Sequence, residues 1–185
     1  MGSAGGRIPR AVRQKARQLG CEIAKHDCIL LTGASPGIPY EAVQGCKRSG
    51  GMTVGISPAL DLQEHVTRYR SPYREFDVLI YTGDGLMGRE VTGIRSCDIV
   101  VLVGGRSGTL GEFAIAYDEG KLIGVLQETG GIADQVDEIV RIVNKDTGAA
   151  LVFDSDPNKL MAALLKAYKA RLRNPPQRSD DAAAG

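Results

Sequence analysis

One stretch constrains the fold of this 185-residue chain more than any other. A continuous apolar run from Ile99 to Val103 passes directly into a glycine-rich segment over residues 104–109. A short run dominated by β-branched residues is typical of a strand that is buried on both faces, as in a parallel sheet. A helix is predicted to follow from about Thr109 to Glu119. This strand, turn and helix together favour an α/β fold with a ligand at the turn.

The turn is predicted to bind an anion. Glycine lets the backbone turn sharply and approach a ligand closely. The first N–H groups of a helix have no intrahelical acceptor, and the helix dipole is positive there, so phosphate is favoured. We therefore expect a phosphate group to be held by six consecutive residues: Gly104, Gly105, Arg106, Ser107, Gly108 and Thr109. Glu112, expected in the first helical turn, would lie near that ligand.

The rest of the chain repeats the alternation of short apolar strands and helices. Strands are predicted over residues 27–32, 52–57, 77–82, 99–103, 121–126 and 149–153, and helices over 8–25, up to 48, 86–96, 109–119, 132–144 and 157–173, with 58–74 mostly loop. Strict alternation favours parallel strands with right-handed crossovers. We expect one Rossmann-like α/β domain over residues 1–173, with a mostly parallel sheet of six to seven strands and helices on both faces. The tail, 174–185, is expected to be disordered.

Three glycine loops are predicted to meet at one edge of the sheet. They cover residues 33–37, 83–88 and 104–108, and each follows a predicted strand. Ligands of such sheets bind outside the carboxyl ends of the strands. Gly33 and Ser35 in the first loop are therefore candidate ligand contacts, although Ser35 could equally serve only to shape its turn.

Composition excludes several classes of function. The net charge of +1 gives no basic field for nucleic acid or an anionic membrane. No apolar run approaches the ~20 residues of a membrane span, and no signal peptide is visible, so a cytoplasmic protein is expected. The four cysteines lack Cys-x-x-Cys spacing and have only two histidines beside them, so we expect reduced thiols and no metal site.

Residues 104–112, with Arg89 nine residues ahead of Asp98, resemble the Lonely Guy superfamily. Its signature is Pro-Gly-Gly-x-Gly-Thr-x-x-Glu after a buried strand. The superfamily includes cytokinin-activating phosphoribohydrolases, proteins labelled "possible lysine decarboxylase", and the molybdenum cofactor carrier protein. This chain departs from the signature, because Val103 replaces the proline and one residue is inserted before Gly108. The loop that is usually Gly-Leu-Met reads Gly-Ile-Pro over residues 37–39.

The resemblance implies hydrolysis of the N-glycosidic bond of a nucleoside 5′-monophosphate, giving free base and ribose 5-phosphate. Glu112 would stabilise the cationic ribose or activate water, and Arg89 would hold ligand and carboxylate in register, without a metal or cofactor. Both residues also have a purely structural interpretation. Glu112 could be favoured only by the dipole at the helix N-terminus, and Arg89 could be a solvated surface cation of its helix. No residue supports pyridoxal-dependent lysine decarboxylation.

A second hypothesis is a nucleotide or molybdenum cofactor binding or carrier protein that does not turn its ligand over. The departures from the signature favour it. A third, DNA handling, is disfavoured by the near-neutral charge.

The resemblance also implies a homodimer or larger assembly. Phe113, Ala116 and Tyr117 form an apolar helix face that either contacts a second copy or packs internally. The superfamily begins with an apolar strand that leads into a Gly-Ser-rich loop. Here Gly2 to Gly6 resembles that loop, so we expect the first strand to be missing or truncated.

Overall fold

The computed structural model describes residues 1–174, and all but the first residue of the predicted tail lies outside them. The strands are β1 (Leu30–Thr32), β2 (Thr53–Ser57), β3 (Val78–Tyr81), β4 (Ile99–Val103), β5 (Leu122–Leu126) and β6 (Ala150–Asp154). The helices are α1 (Arg10–Lys25), α2 (Ile38–Arg48), α3 (Leu62–Thr67), α4 (Gly85–Arg95), α5 (Ser107–Asp118), α6 (Val136–Val143) and α7 (Pro157–Arg173). A turn of 3-10 helix, Ala133–Gln135, precedes α6. The predicted Rossmann-like α/β architecture is confirmed.

The strands form two parallel sheets rather than the single sheet that was predicted. One has the order β1-β2-β3 and the other β4-β5-β6. Every pairing within each sheet is parallel. The division falls between β1 and β4, which are not hydrogen-bonded to each other.

A short N-terminal segment lies in this division. The amino group of Met1 donates to the carbonyl of Val101, the amide of Val103 donates to the carbonyl of Met1, and Gly2 forms a single parallel bridge with Val103. The amide of Ile38 donates to the carbonyl of Ser3. The segment therefore follows only the carboxyl-terminal part of β4. A pairing this short does not join the two sheets into one.

The sheet β4-β5-β6 is buried on both faces because its apolar residues alternate between two helix layers. Leu122 and Leu126 belong to the core under α1, α2 and α7, whereas Ile123 and Val125 belong to the core under α5 and α6. All five residues of β5 are buried. Such a pattern explains why this part of the sequence reads as nearly continuous apolar runs.

The apolar face of α5 packs inside the chain. Phe113, Ala116 and Tyr117 are all buried, and the rings of Phe113 and Tyr117 lie 5.6 Å apart at their centroids. Of the two alternatives left open for this face, internal packing is therefore the one observed.

The crossing from β2 to β3 contains a helix that was not predicted. Asp61 caps α3 by accepting a hydrogen bond from the amide of Glu64, 2.8 Å away, and Glu64 accepts in return from the amide of Leu60, 2.7 Å away. This reciprocal arrangement is close to a capping box. Residues 61–64, Asp-Leu-Gln-Glu, carry the sequence pattern of such a cap, which was missed when residues 58–74 were predicted to be mostly loop. By contrast, the predicted cap of α7 by Asp156 is confirmed.

None of the helices in residues 1–174 is both long enough and apolar enough to cross a membrane.

Candidate functional site

A cavity of about 510 Å³ lies between β1 and β4. Its wall includes Thr32 and Gly33 at the end of β1, the N-terminal segment, one side of α4 and the start of α5. It also reaches down to Leu31, Ile99 and Val101, on the two strands that do not pair with each other. The volume is that of a small-molecule site. The cavity therefore includes the edge of the sheet at which the sequence predicted a ligand.

The start of α5 presents three free amides to this cavity. Helix α5 begins at Ser107, and the amides of Ser107, Gly108 and Thr109 have no hydrogen-bond acceptor among residues 1–174. All three residues line the cavity, and the N-cap residue Arg106 makes no side-chain capping bond. Free amides at a helix N-terminus favour a bound anion.

The structure separates Gly104 and Gly105 from the other residues of the predicted phosphate cradle. The amide of Gly104 donates to Thr129 Oγ1, 2.8 Å away, and the carbonyls of Gly104 and Gly105 accept from the amides of Ala133 and Ile132. Both glycines line a second, smaller depression of about 360 Å³. Their contacts within the described chain show that they shape the turn.

Arg106 lies between the two depressions and lines both. Its Nη2 donates to the carbonyl of Gly5, 2.7 Å away, so this exposed side chain fastens the N-terminal loop to the start of α5.

A glycine is required at Gly105, because its φ of +106° is strained for other residues and a Cβ there would lie 2.5 Å from the side chain of Thr109.

Arg89 meets the first glycine loop. The side chain comes from α4 and is 9% exposed, and its Nη2 lies 3.4 Å from Ser35 Oγ as a long hydrogen bond. A Cβ on Gly33 would lie 1.5 Å from Arg89 Nη1, so only glycine at this position leaves room for the guanidinium. Burial lowers the pKa of Arg89, while Glu112 and Glu90 oppose that shift. Arginine nevertheless stays charged, so the cavity contains a buried cation.

Glu112 lies in the same cavity, but in the second turn of α5 rather than the first. The helix starts two residues earlier than predicted, at Ser107. The helix dipole acts mainly within the first turn, so a purely dipolar role for this acid is weakened. The carboxylate makes no hydrogen bond within residues 1–174. Burial raises its pKa, against the attraction of Arg89 and the amino group of Met1, whose own pKa is lowered by burial.

Glu90 is a site residue that sequence reasoning missed. It follows Arg89 on α4, is 7% exposed and lines the cavity. Its carboxylate packs over α5, where a Cβ on Gly108 or Gly111 would lie 3.7 or 3.6 Å from its oxygens. Burial and the nearby Glu112 raise its pKa. The signal in the sequence was the pair of glycines three residues apart on α5, which opens a groove on one face of that helix.

Two buried polar atoms at the site are unsatisfied. Among the side chains of residues 1–174, only Arg89 Nε and Glu90 Oε2 are fully buried without a hydrogen-bond partner. Native structures rarely leave such atoms unpaired, and a bound ligand is one explanation for them. The described part of the chain contains no group of three or more His, Cys, Asp or Glu side chains that could hold a metal ion.

Known proteins share this architecture. The crystal structure of the protein TM1055 superposes with a TM-score of 0.78 at 25% identity, covering 90% of this chain and 96% of that one. The molybdenum cofactor carrier protein of Chlamydomonas reinhardtii superposes with a TM-score of 0.72 at 29% identity, covering 92% of this chain and 96% of the other. An uncharacterised protein of Archaeoglobus fulgidus is 33% identical over 113 residues, which are 60% of this chain and 68% of that protein.

A family model matches nearly the whole described chain. The match extends over residues 1–161 and so includes both sheets, the glycine loops and every residue of the candidate site. It confirms the resemblance to the Lonely Guy superfamily, to which the carrier proteins are also similar. The chain belongs to the SLOG cluster4 family.

Proposed function

We propose that this protein binds a small phosphorylated ligand, a nucleotide or a molybdenum cofactor-like molecule, and acts as a binding or carrier protein. One observation carries the proposal: the free amides of Ser107, Gly108 and Thr109 open into the same cavity as the buried guanidinium of Arg89. Amides at a helix N-terminus and a guanidinium are both strong phosphate donors. The phosphate would lie between them, at the start of α5.

The similarity to a molybdenum cofactor carrier protein supports a binding role. So do the departures from the enzyme signature at Val103 and in the spacing of the glycines. The apolar side chains in the wall, among them Leu31, Ile56 and Ile94, suit the ring system of such a ligand.

A second candidate function is hydrolysis of a nucleoside 5′-monophosphate. It is favoured by Glu112, an acid without a hydrogen bond in the described chain that lies in the cavity together with Arg89. In such a reaction the C–N bond to the base breaks, the ribose gains positive charge, and a carboxylate stabilises that charge or takes a proton from the attacking water. The base leaves with a proton and the water oxygen ends on the ribose.

Titration calorimetry with ribose 5-phosphate, AMP, GMP and molybdenum cofactor tests the binding function. We expect at least one of them to bind, and Arg89→Gln to weaken that binding by about 10- to 100-fold because charge-assisted hydrogen bonds are lost. Circular dichroism on the variant controls for folding. Absence of binding for the whole panel would overturn the proposal.

Chromatography of the same mixtures after long incubation separates the two functions. A carrier protein returns the nucleotide intact. Release of free base that stops in Glu112→Gln would instead establish the hydrolase.

We also propose that two copies of the chain associate. Val78 and Ile80, which are two residues apart on the edge strand β3 and so lie on the same face of the sheet β1-β2-β3, are both exposed large apolar side chains. Such a patch often marks an interface. Analytical ultracentrifugation is expected to give a dimer that Ile80→Lys dissociates, and a monomeric wild type would refute the proposal.

A cytoplasmic location is proposed from the thiols. Cys21, Cys28, Cys46 and Cys97 are all free. Unpaired cysteines are typical of proteins in a reducing compartment. Cell fractionation with an antibody against the native protein tests this location.

A further inference from the structure

We propose that Glu90 selects the heterocycle of the ligand by accepting hydrogen bonds from adjacent N–H groups, and so favours the 2-amino-4-oxo-pyrimidine edge that guanine and pterins share. This inference rests on the proposed binding function. It assigns Glu90 a role in specificity, separate from the phosphate contacts at the start of α5.

The Glu90 carboxylate is buried without a hydrogen-bond partner in the described part of the chain. Glu90 is 7% exposed, and neither of its carboxylate oxygens forms a hydrogen bond with residues 1–174. The nearest cation on its own helix, Arg89, attracts it but makes no hydrogen bond with it. A buried carboxylate without donors is unfavourable, and a ligand that supplies N–H groups removes that penalty.

There is open space beside the Glu90 carboxylate. It lies over Gly108 and Gly111, where the absence of side chains leaves a groove along α5. Glu90 also lines the cavity, near the apolar residues Ile94 and Leu86. The terminal torsion of a glutamate is soft, so a small rotation can turn both oxygens toward a ring held against these apolar neighbours.

The cavity contains hydrogen-bond donors at one place and an acceptor at another. The free amides at Ser107 to Thr109 and the guanidinium of Arg89 are donors, which suit a phosphate, whereas Glu90 is an acceptor. A carboxylate with two oxygens pairs best with two parallel N–H donors. The N1–H and 2-amino group of guanine present this pair, as do the N3–H and 2-amino group of a pterin, whereas hypoxanthine presents only N1–H.

The experiment compares GMP with IMP, which differ only in the 2-amino group. Dissociation constants are measured by calorimetry for the wild type, for Glu90→Gln and for the surface control Glu138→Gln, with ribose 5-phosphate as a probe of the phosphate contacts alone. We expect the wild type to bind GMP about tenfold or more tightly than IMP, because a missing donor leaves a charged acceptor unpaired. The control variant should behave in the same way.

Glu90→Gln should reduce the GMP-to-IMP preference to about twofold or less, because its amide N–H₂ faces the ligand's own donors. If the wild type shows no such preference, or if the variant keeps it, the role of Glu90 is refuted and the binding function stands. If neither nucleotide nor ribose 5-phosphate binds to the wild type, the proposed function itself fails, and this inference with it.

Discussion

The two sheets of this protein have the same size and the same parallel pairing, but they are covered very differently. All five residues of β5 are buried, whereas residues of the edge strand β3 alternate between half-buried and exposed, with Ile80 45% exposed. The second sheet has helices against both faces, whereas α4 leaves the outer residues of the first sheet uncovered. The second sheet is therefore covered on both faces, whereas the first sheet leaves large apolar side chains exposed.

The candidate site lies where these unequal parts meet. The β4 side contributes the free amides of α5 and Glu112, and the β1 side contributes Gly33 and Ser35. Arg89 of α4 reaches across from one to the other. A cavity at such a division can open without disturbing either core. Substitutions in the two sheets and at the site between them test this difference in burial.

The largest effect is expected in the core of the second sheet. Phe113→Ala should lower the free energy of unfolding by about 3–5 kcal/mol, because it removes a buried ring from close packing. Ile80→Ala on the first sheet should cost under about 1 kcal/mol in the monomer, since that side chain is largely exposed. Urea unfolding of both variants measures the difference, and equal losses would contradict the contrast.

Gly33→Ala should weaken ligand binding by about 10- to 100-fold without removing any charge. The new methyl group would occupy the position of the Arg89 guanidinium, which would have to move. Gly93, which also lines the cavity, gives the matched control: its Cβ would have only an ordinary contact, 3.9 Å from Leu31, so Gly93→Ala adds a methyl group to the wall without displacing the guanidinium. Calorimetry with the ligand found for the wild type measures the effect. Unchanged affinity for Gly33→Ala would show that the guanidinium does not bind the ligand.

Gly2→Ala tests the N-terminal segment that lies in the division. A Cβ there would come within 2.6 Å of the carbonyl oxygen of Val103 and of the side chain of Ile38, so we expect a loss of about 1–3 kcal/mol in stability. Gly5→Ala is the control, since its nearest neighbour is the flexible end of Arg106, 3.7 Å away. Thermal unfolding distinguishes the two. A neutral Gly2→Ala would mean that the segment does not pair with β4.

The smallest effect is expected from the pH dependence of Glu90. Burial raises the pKa of its carboxyl in the folded state, so the folded protein holds this proton more tightly than the unfolded chain does. The contribution of Glu90 to stability is therefore largest at low pH and is lost as the pH rises through the raised pKa. Glu90→Gln should stabilise the ligand-free protein at pH 7 by roughly 1 kcal/mol, with little difference below about pH 4. Unfolding curves at both pH values would contradict this if the variant were less stable at pH 7.

The order of elements could be predicted from the sequence because the strands and helices carry different periods. The run from Ile99 to Val103 and the cap at Asp156 appear in the structure where the sequence put them. The division into two sheets could not be predicted from such local patterns, because a strand's own residues do not encode which strand lies beside it.

The candidate site was predictable in its loops but not in its buried charges. Arg89 contacts Ser35 and lies where a Cβ on Gly33 would be, whereas the amide of Gly104 donates within its own turn. Glu90 was missed, because its carboxylate is enclosed by the packing of α4 on α5, which no pattern within α4 encodes.

The most direct test is a crystal structure of the protein with GMP, in which the position of the phosphate decides the account. We predict the phosphate oxygens within about 3 Å of the amides of Ser107, Gly108 and Thr109, with the Arg89 guanidinium on the same group. A phosphate bound instead in the smaller depression at Gly104 and Gly105, or nowhere near the start of α5, would contradict it.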